Sequence, residues 1–460
     1  MLLFRRTRLL LNYASGQSTY CKFKNYNGVQ VDRISLFYKH PISQISTLPI
    51  LLKEHTTKGW KYKARDGQIP AELPRNACEE GKDAIPHTVL VSELQKCSSV
   101  SSQIDTFCSM LSLTPKDIEN RNAFCQSLEE PLSIYFPNFR ITQFGSGTNG
   151  LGFKGCDADV SLQTFNDGDY VILKEIPSLS SVKNGTVSRE TLSRMTPRYT
   201  LNFIAKILRE HCPDVNKSIL YINARVPILR FYNSKYDIFC DLSCEHKFSL
   251  LNTMLLRLLC NLDERFAILA KIIRYWGKYG GFVGDIENFN SYAFSLLVVH
   301  FLQTRSQPAL PSIQEIIQKS EYLRKGNVAD TLLLEKDLKI MSLSNNDKTT
   351  EELLREFFFY FSTFDFSRVM LLYSSSSIPK DLFKPKKTSE EKFEFGAVNI
   401  QDPFRHSFNV SGGASYESCK EFMFNVLLAC QAYQNDALWT PQTENWGLCS
   451  IFDQHPGSVQ

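Results

Sequence analysis

The 460-residue sequence has no uninterrupted apolar run of ~20 residues, the length that a membrane-spanning helix requires. We therefore expect no membrane span. The sequence also lacks a strong excess of one charge, because 52 basic and 48 acidic residues leave a net charge of +4. A nucleic acid would thus have to be bound by local basic patches, not by a general polycation.

The thirteen cysteines include no Cys-x-x-Cys pair, and their number is odd. Scattered cysteines of this kind favour reduced thiols over a disulfide framework. Cys240, Cys244 and His246 are near one another in sequence, but no further ligand pair stands at zinc spacing. The sequence therefore predicts no structural zinc site.

Acidic residues are absent before Asp32, whereas arginine and lysine occur five times in the first 24 residues. An arginine-rich, serine-containing and acid-poor beginning is typical of an organelle transit peptide, which we predict over residues 1–28. A basic RNA-binding arm is the alternative.

The most informative segment, residues 144–162, joins a glycine-rich loop to a strand pattern with two aspartates. Gly145 and Ser146 are the expected phosphate holders, because exposed N–H groups in such a loop form an anion-binding concavity. In a strand over 156–162, Asp157 and Asp159 share one face. Two such close carboxylates repel unless a cation lies between them, and hard oxygen ligands suit Mg²⁺ or Mn²⁺. The alternative is a glycine-rich hairpin with solvated aspartates.

The same loop satisfies the Gly-x-Gly-x-x-Gly pattern of dinucleotide-binding proteins through Gly145, Gly147 and Gly150. That pattern should open a helix, whereas two more glycines and a predicted strand follow here. We therefore reject a dinucleotide site.

A Gly-Ser pair, a variable loop and an Asp-x-Asp pair flanked by apolar residues resemble the nucleotidyltransferase fold of the DNA polymerase beta superfamily. The spacing and the later segments resemble non-canonical poly(A) polymerases, most of all those of the mitochondrial type. The resemblance extends from about residue 131 to near the C-terminus. It implies an α+β fold, in which a polymerase beta-like palm of mixed sheet and helices is joined to a mainly helical poly(A)-polymerase-associated domain.

The expected domains follow from this resemblance. They are a mitochondrial transit peptide over 1–28, an N-terminal region over 29–102, a palm over 103–250 and a helical domain over 251–460 that contains a nucleotide-recognition loop. A divergent RNA-binding module is the candidate for 29–102, but no aromatic RNP-type signature supports it. The implied location is the mitochondrial matrix.

A third carboxylate is sought in two predicted strands, over 221–231 and 236–243. Asp237 and Asp241 have the same parity in the second strand, so either could face the first pair. The resemblance favours Asp241. Three carboxylates suit two-metal phosphoryl transfer. In this hypothesis Asp157 and Asp159 bind both ions, Mg²⁺ or Mn²⁺, and Asp241 binds one ion beside the RNA 3′-hydroxyl.

The resemblance also implies contacts between the helical half and the nucleotide. Lys271, Arg274 and Lys278 form a basic stripe on a helix predicted over 263–279. Arg274 and Lys278 match residues that contact the triphosphate, whereas Lys271 is expected to lie on a solvated face. Ser291 matches another triphosphate contact.

Two further residues are assigned to the base by the resemblance. Phe361 matches a residue that stacks on the incoming base, although most rings around it should be core. Asp402 matches an aspartate that holds the base-reading loop. Uridylyltransferases of the family place a histidine shortly after that motif. Phe408 stands there in an ungapped alignment, with His406 close by, so adenine is favoured.

The sequence thus predicts a template-independent polynucleotide adenylyltransferase that adds AMP from ATP to RNA 3′ ends. The expected partners are ATP and an RNA 3′ end, and a homodimer stays open. The alternatives are a terminal uridylyltransferase and a catalytically inert RNA-binding scaffold of the same fold.

Overall fold

The computed structural model describes residues 19–24, 30–36 and 85–452, with gaps at 137–138, 165–195, 216–218, 224–225, 245–246, 285–286, 342–343, 386–391, 435–440 and 442–444. The chain forms two compact units, Met1–Ile69 and Pro70–Gln460. In the first unit, β1 (Thr19–Lys24) and β2 (Gln30–Leu36) pair antiparallel. The rest of the predicted transit peptide lies outside the described residues.

The second unit begins with two helices, α1 (His87–Gln95) and α2 (Val100–Leu111). The predicted boundary between residues 102 and 103 falls inside α2. Gln103 ties this helix to the C-terminal segment, because its Oε1 accepts the Leu448 N–H at 2.8 Å and its Nε2 donates to the Leu94 carbonyl at 3.0 Å. The apolar face of α2 packs in the core of the helical half and not in the core of the palm.

The palm is a five-stranded mixed sheet in the order β3-β4-β7-β6-β5. Its middle pair, β4 and β7, is parallel, and the other neighbours are antiparallel. This architecture confirms the predicted fold class. The strands are β3 (Phe139–Phe144), β4 (Ala158–Thr164), β5 (Leu220–Ile222), β6 (Ile228–Asn233) and β7 (Ile238–Cys244).

Two helices, α3 (Pro115–Ser133) and α5 (Pro197–His211), pack with the sheet in one apolar core. The sequence determines the beginning of α3, because Thr114 and Asp117 exchange side-chain and backbone hydrogen bonds in a capping box and proline follows the cap. The α5 side chains alternate with helical period, so one face enters the core and the other meets solvent.

Two strand predictions in the palm are wrong in detail. The single strand expected over 221–231 is a hairpin of β5 and β6, in which Ile222 pairs with Ile228. Pro227 lies at its turn and has no N–H for a sheet ladder. The strand expected over 156–162 begins only at Ala158, and the glycine-rich loop before it contains a single helical turn, α4 (Ser146–Asn149).

The remaining chain is mainly helical, with one small three-stranded sheet in the order β10-β8-β9. Trp276 lies in its core, fully buried, with the rings of Phe282 and Phe358 each 5.0 Å away. The helices are α6 (Lys247–Leu262), α7 (Glu264–Tyr279), α8 (Ser291–Gln303), α9 (Ile313–Lys319), α10 (Glu321–Lys325), α11 (Thr331–Ile340), α12 (Thr350–Thr363), α13 (Tyr416–Gln434) and α14 (Cys449–Phe452). The strands are β8 (Arg368–Leu371), β9 (Ser376–Pro379) and β10 (Ile400–Gln401).

None of the helices described is both long and apolar enough to cross a membrane. Eleven cysteines, from Cys97 to Cys449, are free thiols, in line with the expected reduced state. Burial raises the pKa of Cys244 to about 12, so its thiol stays protonated at neutral pH. His246 lies outside the described residues.

Candidate active site

Two aspartates are brought side by side by the parallel pairing of β4 and β7. Asp159 pairs with Asp241, and the register continues through Val160 and Leu242. Residues directly opposite on neighbouring strands point to the same face of the sheet. Asp157 precedes β4 by one residue, and a single nitrogen of Arg230 reaches both Asp157 and Asp241, at 3.2 and 2.6 Å. The structure therefore gathers the three predicted carboxylates at one place.

Asp237, the open alternative for the third carboxylate, lies elsewhere. Its φ of +54° places it in a tight turn before β7. There its carboxylate accepts a hydrogen bond from the Tyr232 hydroxyl. Parity along one strand does not distinguish Asp241 from Asp237. The pairing with β4 does, because it places Asp241 beside Asp159.

Arg230 on β6 was not foreseen in the sequence. It lies opposite Asp241 on the neighbouring strand, and its guanidinium donates from Nε to Asp241 Oδ1 at 2.7 Å and from Nη2 to Asp241 Oδ2 at 2.6 Å. The sequence feature that could have indicated it is a single basic residue between the apolar Leu229 and Phe231. Those two side chains are buried, so Arg230 lies on the opposite face of the strand. Planar arginine suits such a two-point contact with a carboxylate.

The three carboxylates destabilise one another electrostatically. Burial first, and then the negative charges of Asp241 and Asp157, raise the pKa of Asp159 to about 7. Burial and Asp241 likewise raise the pKa of Asp157, while Arg230 opposes that shift. Within the described parts of the chain, no three His, Cys, Asp or Glu side chains form a preformed metal cage. The guanidinium of Arg230 instead lies between Asp157 and Asp241.

Gly145 has a steric role in the loop before β4. Its φ is +74°, and a Cβ at this position would lie 2.1 Å from Asp159 Oδ2. Only glycine leaves room for that carboxylate. The Gly145 N–H donates to the Thr253 hydroxyl of α6 at 2.9 Å, so this amide is already engaged within the protein. Ser146 begins α4, and its side chain bonds the Cys156 thiol.

Arg121 of α3, which was also not predicted from the sequence, binds the backbone at the end of the same loop. Its guanidinium donates to the carbonyls of Cys156 and Asp157, the latter at 3.1 Å, and the side chain is buried. Gly147 allows this approach, because a Cβ there would lie 3.2 Å from Arg121 Nη1. A buried arginine therefore fixes the backbone that carries Asp157.

The two basic residues predicted on α7 occupy different places. Arg274 donates to the Leu151 carbonyl at 2.5 Å and lies over the Phe153 ring at 5.7 Å, so it supports the loop from the helical half. Lys278, one turn further along, is exposed, and its charge lowers the pKa of Asp157. Lys271 donates to the Ser112 hydroxyl at 2.9 Å and is therefore a packing residue, not the solvated residue expected.

Ser291 is the first residue of α8 and follows the cap residue Asn290. Phe361 is 1% exposed, with the rings of Phe357 and Phe364 at 4.8 and 5.8 Å. This placement argues against the expected stacking role, because a ring enclosed in the aromatic core has no open face for a base. The helical period of the segment did not reveal which of its rings faces inward.

Asp402 organises the loop that follows β10. Its Oδ1 accepts the N–H groups of Phe404 and Arg405 at 2.9 and 2.8 Å, and Asn252 bonds its side chain. Burial raises the pKa of Asp402, whereas these hydrogen bonds lower it. Because Asn252 and Thr253 are consecutive on α6, this helix contacts both the Asp402 loop and the glycine-rich loop.

The end of the Asp402 loop is built from stacked side chains. The Arg405 guanidinium lies over the rings of Phe408 and Phe248, at 4.3 and 5.1 Å. His406 turns elsewhere, since its Nε2 lies 3.1 Å from the Pro403 carbonyl and its ring is 5.1 Å from that of Tyr373.

We expect Gly145→Ala to reduce the free energy of unfolding by about 1–3 kcal/mol more than Gly281→Ala, because only the first forces a methyl group against a neighbouring side chain. The two glycines have nearly the same φ, +74° and +72°, but a Cβ at Gly281 would meet no atom within 4 Å. Denaturant unfolding of both variants measures the difference. Equal losses would show that Asp159 does not crowd Gly145.

Three comparisons with known proteins agree with this geometry. Residues 100–261 match the family model described as "Poly(A) RNA polymerase, mitochondrial-like, central palm domain". The Danio rerio speckle targeted PIP5K1A-regulated poly(A) polymerase is 28% identical over 454 residues, which cover 90% of this chain and 54% of that protein. The Homo sapiens mitochondrial poly(A) RNA polymerase is 26% identical over 362 residues, covering 77% of this chain and 60% of that protein.

Solved structures show the same fold. A crystal structure of mtPAP in complex with UTP has a TM-score of 0.65 at 22% identity and covers 86% of this chain and 80% of that one. A structure of a mutant of the Cid1 poly(U) polymerase bound to MgATP has a TM-score of 0.58 at 18% identity and covers 77% of this chain and 98% of that one.

The chain spans about half to three fifths of the length of the curated relatives that it matches. The family match and the relatives nevertheless name the same kind of protein. Residues 100–261 match the mitochondrial-like central palm domain, and most of the chain is similar to poly(A) RNA polymerases.

Proposed function

We infer that the protein is a polynucleotide adenylyltransferase that adds AMP from ATP to RNA 3′ ends without a template. The observation that carries this proposal is the pairing of Asp159 with Asp241 across two parallel strands, with Asp157 beside them. The names of the relatives support the choice of reaction.

The donor set fits divalent ions. Three carboxylates share a partly buried site in which burial, and then the negative charges of the neighbouring aspartates, raise the pKa values of Asp157 and Asp159. Hard oxygen donors suit Mg²⁺ and Mn²⁺. We assign Asp157, Asp159 and Asp241 to two such ions. When bound, the ions would activate the RNA 3′-hydroxyl and neutralise charge on the leaving pyrophosphate.

The protein's own contribution is positioning and electrostatics, as in other phosphoryl transfers, with no covalent enzyme intermediate. Gly145 and Ser146 shape the loop that receives the phosphates, and Lys278 supplies an exposed cation near Asp157. Arg274 supports that loop through Leu151. RNA held through its backbone would bind in a salt-sensitive manner with little sequence preference.

We assign the remaining nucleotide contacts to the helical half. Ser291 opens α8, and Asp402 holds the loop whose end carries Arg405 and Phe408. His406 contacts Pro403 and Tyr373, and Phe408 stands where uridylyltransferases of the family place a histidine. This arrangement favours adenine over uracil.

A uridylyltransferase is the second candidate, because the Cid1 poly(U) polymerase has a similar fold. Crystal structures of mtPAP hold UTP, GTP, CTP or ATPγS, so fold likeness alone does not select a base. The third candidate, an inert RNA-binding scaffold, predicts no extension of RNA at all.

Primer extension decides among these candidates. With an unstructured RNA primer and each nucleotide supplied separately, we expect the fastest growth with ATP. Asp241→Asn should slow extension by more than about 100-fold, beyond the cost typical of an outer-shell residue of a metal site. Asp237→Asn is the matched control, because it changes the same chemical group near the same strand but away from the carboxylate cluster.

Faster growth with UTP would replace the adenylate assignment by the uridylate one. Extension that survives both Asp157→Ala and Asp241→Asn would show that the site is misassigned. A folded wild-type protein that extends no primer with any nucleotide would support the scaffold.

Metal binding should depend on pH through Asp159. Its pKa is raised to about 7, so at pH 6 the carboxyl is mostly protonated and a metal ion must displace the proton. We expect the apparent affinity for Mn²⁺ to rise roughly tenfold between pH 6 and pH 8, as one proton is released. Calorimetric titration measures this change. A pH-independent affinity would contradict the assignment, and Asp159→Asn should abolish the dependence.

We also assign the protein to the mitochondrial matrix. The arginine-rich, acid-poor beginning and the mitochondrial relatives support this location, whereas other relatives are named as speckle targeted. Residues 1–28 fused to a fluorescent protein should enter mitochondria, and the fusion with Arg5→Glu, Arg6→Glu and Arg8→Glu should not. Nuclear accumulation of the unchanged fusion would refute the assignment.

A further inference from the structure

Arg230 is held between two of the three catalytic carboxylates. Its guanidinium bonds both oxygens of Asp241, at 2.7 and 2.6 Å, and Nη2 also lies 3.2 Å from Asp157 Oδ2. The Asp241 side chain is 15% exposed, that of Arg230 is 32% exposed and that of Asp157 is 42% exposed. The guanidinium thus has a short contact with a largely buried acid and a longer one with a more exposed acid.

Other cations near the cluster act differently. The Arg121 guanidinium is bonded to backbone carbonyls below the loop. Lys278 is exposed. Among Arg230, Arg121 and Lys278, which all lower the pKa of Asp157, Arg230 has the largest effect and Lys278 the smallest. At Asp157 the charge of Arg230 therefore acts more strongly than that of Lys278, whereas at Asp159 the charge of Arg121 comes before that of Arg230.

We propose that Arg230 is a positioning residue that serves as an internal counter-ion of the carboxylate cluster. Its two-point contact orients Asp241, and its Nη2 contact with Asp157 is released when a divalent ion binds. This inference rests on the proposed metal-dependent function. A guanidinium and a divalent ion repel, and both require the same Asp157 oxygen lone pairs. The longer contact to Asp157 is the weaker one and breaks first.

The geometry explains two features of the site together. The carboxylates do not form a preformed metal cage among the described residues, because a cation already separates two of them. They can nevertheless lie close together, since arginine offsets part of their repulsion. Lysine would not reproduce this arrangement, because one ammonium group lacks the planar fork that contacts both Asp241 oxygens.

The test compares Arg230→Gln and Arg230→Lys with the unchanged protein, using Mn²⁺ alone in calorimetric titrations at one pH. Loss of the competing charge should tighten Mn²⁺ binding by Arg230→Gln on the order of tenfold. Arg230→Lys keeps the charge, so its affinity should stay within about threefold of the unchanged protein. An unchanged or weaker affinity of Arg230→Gln would overturn the proposal.

Unfolding in EDTA and in saturating Mn²⁺ supplies the second readout. Arg230→Gln should unfold at lower denaturant than the unchanged protein in EDTA, and Mn²⁺ should stabilise it more than it stabilises the unchanged protein. Arg368→Gln is the matched control, because Arg368 is also a strand arginine but bonds the neutral Ser377. Its loss should be equal in both conditions. A loss by Arg230→Gln that is also equal would indicate packing alone.

A third measurement is made on the protein without any substitution in the metal site. In arginine-labelled protein, the Nε–H resonance of Arg230, identified by its loss in Arg230→Lys, should shift on addition of Mg²⁺. A resonance that Mg²⁺ leaves in place, in a protein shown to bind the ion, would refute the proposal alone. Absence of Mn²⁺ binding by the folded unchanged protein would instead refute the proposed function.

Discussion

Repulsion among three carboxylates is the constraint on which the rest of the site depends. The parallel pairing of β4 with β7 places Asp159 beside Asp241. This register follows from burial of the apolar residues that flank the two aspartates along their strands. Such a cluster is unfavourable without compensation, and the pKa of Asp159 is raised by burial and then by the negative charges of Asp241 and Asp157. Several surrounding features act to accommodate it.

These features come from separate elements of the palm. Gly145 leaves room for the Asp159 carboxylate, Arg121 fixes the backbone at Asp157, and Arg230 neutralises part of the charge. Each acts through a different physical effect, namely steric space, hydrogen bonding to carbonyls and direct ion pairing. The protein itself therefore stabilises the arrangement of the three carboxylates.

Helix α6 links this cluster to the helical half. Thr253 accepts the Gly145 N–H, and the adjacent Asn252 bonds Asp402 at the base of the other loop. Arg274 adds a contact from α7 to the Leu151 carbonyl. A shift of α6 would therefore move the glycine-rich loop and the Asp402 loop together. Under the proposed function, this coupling would keep the two ends of a nucleotide in a fixed relation.

The sequence predicted the fold class and the nearness of Asp157 and Asp159, because a specific motif carries that information, although Asp157 lies one residue before β4 and not in the strand. Parity left Asp237 and Asp241 equivalent, and only cross-strand pairing distinguishes them. Arg230 was missed for the same reason, since its partner Asp241 lies on β7, and the pairing of β7 with β6 depends on the turn over residues 234–237. Phe361 shows another limit, because helical spacing does not tell which ring of an aromatic segment is enclosed.

The chemistry of the cluster gives the account its most direct test. Anomalous diffraction at the manganese edge, from crystals soaked with Mn²⁺ and a non-hydrolysable ATP analogue, locates the ions without assumptions about activity. We expect anomalous peaks within ligand distance of Asp157, Asp159 and Asp241, with the Arg230 guanidinium withdrawn from Asp157. Peaks elsewhere, or none beside these three carboxylates, would contradict it.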